Sequence, residues 1–151
     1  MKIRGTTTVD GVVDLQGRDD DSGAVVDPAA GAVYGWDAVA YTTGAWGAYT
    51  FANMTDDTYV ISIEMPRYLD ASASVSVSGD NQSLSTVILF GGDANDDDII
   101  DVSDATIIGG EFGHTPPVDA RSDINNDGTV DILDLVLMGG NYSLSTSPWS
   151  P

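Results

Sequence analysis

Apolar and polar residues alternate in short runs along the first ninety positions. The runs are Thr7–Leu15, Gly23–Val26, Ala38–Thr42, Ala48–Phe51, Thr58–Met65, Ser72–Val77 and Leu84–Phe90, separated by glycine, aspartate or proline. In Tyr59-Val60-Ile61-Ser62-Ile63-Glu64 the residues Tyr59, Ile61 and Ile63 fall on one face of a strand and Ser62 and Glu64 on the other. About seven short strands at this spacing predict an all-β, Greek-key-like sandwich over residues 1–90. After Phe90 the pattern changes to a helical period in Val102–Phe112 and Ile132–Tyr142. A small α unit over 91–142 and a Ser/Thr/Pro tail over 143–151 complete the expected layout.

Each amphipathic stretch follows an acidic loop. The first reads Asp93-Ala94-Asn95-Asp96-Asp97-Asp98-Ile99-Ile100-Asp101-Val102-Ser103-Asp104. The second, thirty residues later, reads Asp123-Ile124-Asn125-Asn126-Asp127-Gly128-Thr129-Val130-Asp131-Ile132-Leu133-Asp134. Oxygen-bearing side chains stand at loop positions 1, 3, 5, 9 and 12 in both, the ligand spacing of an EF-hand calcium loop. Ca²⁺ is a hard cation that takes about 6–8 oxygens, and alternate residues of a tight loop can turn theirs inward. The expected ligands are Asp93, Asn95, Asp97, the Ile99 carbonyl, Asp101 and Asp104, then Asp123, Asn125, Asp127, the Thr129 carbonyl, Asp131 and Asp134, for two Ca²⁺. An acidic run that was only a solvated surface would have no reason to repeat the Asn at position 3 or the apolar residue at position 8 (Ile100, Val130).

Position 6 requires positive φ, natural for Gly128 and tolerated by Asp98. Position 12 carries aspartate in place of the usual glutamate, so each helix must start close to the metal. Asp101 and Asp131, with Asp104 and Asp134 three residues on, form capping boxes that would start the helices. Gly109-Gly110 and Gly139-Gly140 weaken both helices about two turns in, for close helix contact or for early termination.

The segment before Asp93 reads as a strand and a turn, so the entering helix of an EF-hand is missing. A loop followed by one helix (an F-hand), duplicated and joined by a linker, resembles a type I dockerin module over Gly91 to Tyr142. The resemblance implies two bound Ca²⁺ and docking onto a cohesin module of an extracellular complex. It also places recognition at loop positions 10 and 11, here Val102-Ser103 and Ile132-Leu133. Glycines stand where many dockerins carry basic residues, which implies a drier contact than in the well-studied cellulosomes.

Residues 1–90 resemble the carboxypeptidase regulatory-like (transthyretin-like) family. The matching residues are Gly11–Leu15, Gly23–Val26, Thr43–Phe51 and Thr58–Leu69. Such domains are usually non-catalytic spacers or adhesion modules. Gly91-Gly92 marks the boundary, short enough to predict a rigid L- or T-shaped pair.

The chain has 24 acidic and 5 basic residues, a net charge of −19, with 12 acids and 4 bases in 1–90 and 12 acids and 1 base in 91–151. Such a field disfavours nucleic acid and anionic membrane surfaces. Neither disulfide nor thiol chemistry is available without cysteine. No apolar run is long enough for a membrane span, and the expectation is a secreted or cell-surface chain whose signal peptide precedes residue 1. His114 is the only histidine and reads as a surface residue.

No nucleophile–base pair is recognisable, so the chain is read as a non-catalytic assembly module. The partner is a cohesin-like protein. In the alternative the partner is a second copy, the dockerin of one subunit packing on the sandwich of the next to build an extracellular filament or surface layer. Trp149 in the tail is then a candidate anchor for a neighbouring subunit, or disordered. Carbohydrate binding ranks lower: Tyr34, Trp36, Tyr41, Trp46, Tyr49 and Phe51 are explained by the large side chains a small core requires, with Trp46 at a turn tip the best exposed candidate. Asn53, Asn81 and Asn141 stand in glycosylation sequons.

Overall fold

A computed structural model describes residues 7–30 and 41–151. The strands are β1 (Thr7–Leu15), β2 (Val25–Ala30), β3 (Tyr41–Thr42), β4 (Ala48–Met54), β5 (Asp57–Glu64), β6 (Arg67–Tyr68), β7 (Ala71–Val77), β8 (Gln82–Ser83), β9 (Val87–Leu89) and β10 (Gly91–Asp93). Two helices follow, α1 (Val102–Gly110) and α2 (Ile132–Gly140), with a 3-10 turn over Ala120–Ser122 between them. Tyr34, Trp36 and most of the expected Ala38–Thr42 strand lie outside the described residues.

One sheet has the order β3-β2-β5-β7, antiparallel throughout. In the other, β1 pairs antiparallel with β4 and parallel with β8 and then β9. The expected run Leu84–Phe90 contains β9, whereas β8 before it and the parallel pairing of both with β1 were not legible in the alternation, because the return strand is two short pieces separated by a break. Alternation decides the faces: Tyr59, Ile61 and Ile63 of β5 are buried, as are Val9, Val13 and Leu15 of β1. The expected tip at Trp46 is present and 86% exposed, whereas Tyr49 and Phe51 are core, their rings 5.7 Å apart.

The junction at Gly91-Gly92 is a piece of sheet. β10 pairs antiparallel with β6, setting Gly91 against Tyr68 and Asp93 against Arg67, and both glycines are buried. A Cβ on Gly92, at φ 129°, would lie 2.6 Å from Cα of Met138; one on Gly91 would lie 2.9 Å from Cγ2 of Ile124. These glycines therefore let the second loop and helix seat directly on the end of the sandwich. One apolar core continues from Leu15, Tyr68 and Leu89 through Ala94 and Ile100 to Ile108, Ile124, Val130 and Met138.

The tail is also fixed. The Ser147 hydroxyl donates to the Leu69 carbonyl at 2.8 Å and accepts from Phe90 N at 2.9 Å, and the Trp149 indole donates to the Ser85 carbonyl at 3.1 Å. Trp149 is thus seated on its own sandwich, which corrects the expectation of a free or neighbour-seeking tail.

Gly92→Ala is expected to lower stability by about 2–4 kcal/mol, combining a non-glycine residue at positive φ with overpacking against a main chain. Thermal unfolding by circular dichroism measures this. An unchanged midpoint would mean that the junction is looser than described.

Candidate metal centre and docking face

Each acidic loop is a closed ring of carboxylate-to-amide bonds. Asp93, with no solvent exposure, accepts from Asp97 N at 3.1 Å and Asp98 N at 2.8 Å. Asp123 accepts from Asp127 N at 3.1 Å and Gly128 N at 2.9 Å. Asp97 then accepts from Ile99 N at 3.0 Å, and Asp127 from Thr129 N at 2.9 Å. Turns this tight need left-handed residues, and positions 4 and 6 supply them: Asp96 (φ 61°), Asp98 (62°), Asn126 (59°) and Gly128 (90°).

Position 12 closes each ring. The fully buried Asp104 accepts from Asn95 N at 3.2 Å and Asp101 N at 2.8 Å. Asp134, equally buried, accepts from Ile124 N at 2.7 Å, Asn125 N at 3.3 Å and Asp131 N at 2.9 Å. The short aspartate suffices because it is the third residue of its helix. Asp101 and Asp131 cap those helices, accepting from Ser103 N and Leu133 N at 2.7 Å each, and both capping boxes are complete. Each cap contributes about 1 kcal/mol.

Among the described residues no three acidic or histidine side chains converge by themselves on one point. The donor set is mixed, with an Asn amide and a carbonyl beside the carboxylates, as a calcium loop requires. One atom is left over: Asn95 Oδ1 is buried with no hydrogen-bond partner, while its amide donates to Asp97 at 2.8 Å. A buried carbonyl oxygen without a donor costs free energy, and a cation relieves it. The residues present therefore fit a hard cation.

Electrostatics agree with that fit. Burial, aided by the charge of Asp104, pushes the Asp93 carboxyl up to about 6 against the opposing amide bonds. Burial likewise raises Asp134. On the sandwich, burial together with Asp98, Glu64, Asp96 and Asp93 pushes Asp70 up to about 6.

At loop positions 10 and 11, Val102, Ser103, Ile132 and Leu133 are all exposed, and Val136 one turn on extends the α2 face. The inward sides of the helices carry Ile108 and Met138. Open space surrounds Gly109, Gly110, Gly139 and Gly140, and they coincide with the helix ends. Among the described residues they make no close helix contact, and their place in the last turn agrees with early termination. His114 is exposed, and its ring nitrogen lies 2.8 Å from the Glu111 carboxylate.

Sequence reasoning missed the residues that hold the second loop to the sandwich. Arg67 donates to the carbonyls of Asp123 and Ala120 and to Asn126 Oδ1, and the Tyr68 hydroxyl donates to the Ile124 carbonyl. Asn141 is buried, its amide donating to Gln16 Oε1 at 2.6 Å and the Gly91 carbonyl at 2.8 Å. A glycan at Asn141 would displace both bonds, so that sequon is structural. The one available signal was the repeat itself: Asn141 stands thirty residues after Glu111, an unequal pair.

No protein-family model matches the sequence, and no curated protein matches it. Among solved structures, two chains from crystal structures of mutant type II cohesin–X-dockerin complexes of Acetivibrio cellulolyticus are similar, with TM-scores of 0.75 and 0.74. The likeness is one of fold. Each is 24% identical, and the match covers 92% of this chain and 97% of that chain. A 5-hydroxyisourate hydrolase from Klebsiella pneumoniae is similar over 58% of this chain and 90% of its own, at 16% identity and a TM-score of 0.43, too low to support an argument. No helix among the described residues is long and apolar enough to cross a membrane.

A raised carboxyl binds its proton more tightly in the folded state, so its unfavourable effect is absent well below pH 4 and grows to completion above about pH 6. Asp70→Asn in chelator should therefore raise the unfolding midpoint above pH 6 and leave it unchanged at about pH 3. Equal midpoints at neutral pH would show that Asp70 is not destabilised by its acidic neighbours.

Proposed function

We propose that this chain is a non-catalytic, extracellular assembly module whose paired loops bind two Ca²⁺ and whose helix faces dock onto a cohesin-like β partner. On this reading residues 91–142 are the dockerin side of such a contact and the sandwich is its rigid support. The observation that carries it is Asn95 Oδ1, a buried oxygen with no donor in a loop of calcium-ligand spacing. The ligands would be Asp93, Asn95, Asp97, Ile99, Asp101 and Asp104, and Asp123, Asn125, Asp127, Thr129, Asp131 and Asp134.

The similarity of fold to chains from cohesin–X-dockerin complexes supports an assembly module; the choice of the dockerin side rests on the loop spacing. A match over 92% of this chain is too long for residues 1–90 alone, so it takes in the loop–helix repeats. The docking face, centred on Val102, Ser103, Ile132 and Leu133, is apolar on α2 and mixed on α1. Bound calcium would neutralise carboxylates that otherwise repel one another beneath that face.

Adding calcium to chelated protein should increase helical circular dichroism cooperatively. Asp93→Ala or Asp123→Ala should reduce the response to that of one site. An identical spectrum in chelator and in calcium would sink the metal reading. Size-exclusion chromatography then separates the partners. A monomer in calcium that co-elutes with a cohesin-type module supports the external partner, whereas large species that dissolve in chelator mean self-assembly.

A further inference from the structure

The two loops are near copies in sequence but not in their surroundings. Arg67, held at φ 74° by the pairing of β6 with β10, donates one nitrogen to the carbonyls of Ala120 and Asp123 and the other to Asn126 Oδ1 at 3.2 Å. It thus grips positions 1 and 4 of the second loop without using any proposed metal-ligand side chain. Tyr68 adds a bond of 3.1 Å to the Ile124 carbonyl at position 2. Gly92 accepts Met138, and Gly17 leaves room for Leu137, whose Cδ1 would lie 2.7 Å from a Cβ there. Arg18 stacks over the Tyr68 ring at 5.4 Å and, with the acids Asp19 and Asp20 beside it, faces Asn125 and Asp127 across a cleft of about 320 Å³.

The first loop has a different neighbourhood. Sheet pairing reaches it only as far as Asp93, and among the described residues no hydrogen bond runs from the sandwich to residues 94–112. Its helix packs on α2 and on the 3-10 turn. The tail meets it at Ile100 through paired main-chain bonds with Ser143 and Leu144, which fixes position 8 but none of the ligand positions. Across a cleft of about 270 Å³, Asp96 and Asp98 face further acids, Glu64 and Asp70.

We propose that Arg67 is a built-in prop that keeps the second loop and α2 folded without calcium, so that calcium orders chiefly the first loop and α1. A guanidinium bonded to two carbonyls and an amide oxygen does locally what a cation would do for the loop as a whole: it supplies positive charge and fixes the turn. Until a cation enters, the charged residues that line the first loop's cleft with the sandwich are all acids, Glu64, Asp70, Asp96 and Asp98. Docking would then be switched through one half of the module, with the other half permanently attached to the sandwich. This deepens the calcium reading above and rests on it.

Hydrogen exchange on the intact chain tests the proposal. In chelator, amides of 123–140 should be protected while those of 95–108 exchange freely, and calcium should protect the latter. Arg67→Ala should remove about tenfold to a hundredfold of the protection of 123–140 in chelator, as expected for charge-assisted hydrogen bonds. Arg67→Lys should restore part of it. Arg121→Ala, which removes the same charge from an exposed pair with Asp119, should have no effect. Equal exchange of both halves in chelator, or an Arg67→Ala profile matching the parent, overturns the prop. If Arg67→Ala behaves as expected but calcium alters neither half and gives no calorimetric heat, the calcium reading fails, and the one-sided response with it.

Discussion

Asp93, Asp104 and Asp134 have no solvent exposure, in a chain with five basic residues against twenty-four acids. Burying a carboxylate is tolerated only where hydrogen bonds or opposite charge replace its lost water. The local structure of residues 93–134 follows from that constraint. Main-chain amides of the loops and helix starts turn onto the three carboxylates. The turns that deliver those amides need left-handed residues at positions 4 and 6. The helices begin where they do because the same aspartates complete their caps. Hydrogen bonds compensate only in part, since Asp93 and Asp134 remain harder to ionise than free aspartates.

A second constraint, the burial of apolar surface, explains why the sandwich and the repeat share one core. A two-helix unit of this size has little apolar surface of its own to bury. Here Ile108, Ile124 and Met138 join the core that ends at Leu15, Tyr68 and Leu89. Gly91 and Gly92 permit the approach because a side chain at either position would meet Ile124 or Met138. The tail closes the arrangement, with the buried Ser147 bonded to both sheet ends. Residues 1–90 are thus part of the physical environment of the loops rather than a spacer at a distance.

Much of this was legible in the sequence because it depends on local rules. Strands β1 and β5, whose faces follow strict alternation, fall where the pattern puts them. So do the positive φ of Asp98 and Gly128, the aspartate caps, the exposure of Trp46 and the exposure of Val102, Ser103, Ile132 and Leu133. Each depends on a residue and its neighbours within a few positions. Two copies of the loop, matching at every ligand position, made the donor pattern visible although neither copy follows the usual glutamate ending.

The grip of Arg67 and Tyr68 on the second loop, the burial of Asn141 and the seating of Trp149 joined residues separated by fifty positions or more, and no periodicity marks such pairs. Asn141 looked like a surface sequon because a sequon is three letters long. Its burial follows from where α2 ends against Gln16 and Gly91. Chain-local chemistry, then, determined the sandwich strands, the acidic loops and their helices. Only the packing of one part on the other decided that the two loops, alike as sequences, differ in their neighbours, Arg67 and Arg18 lying beside the second and only acids among the charged residues across the cleft from the first, because position in space and not in the chain sets which charges lie within a few ångströms.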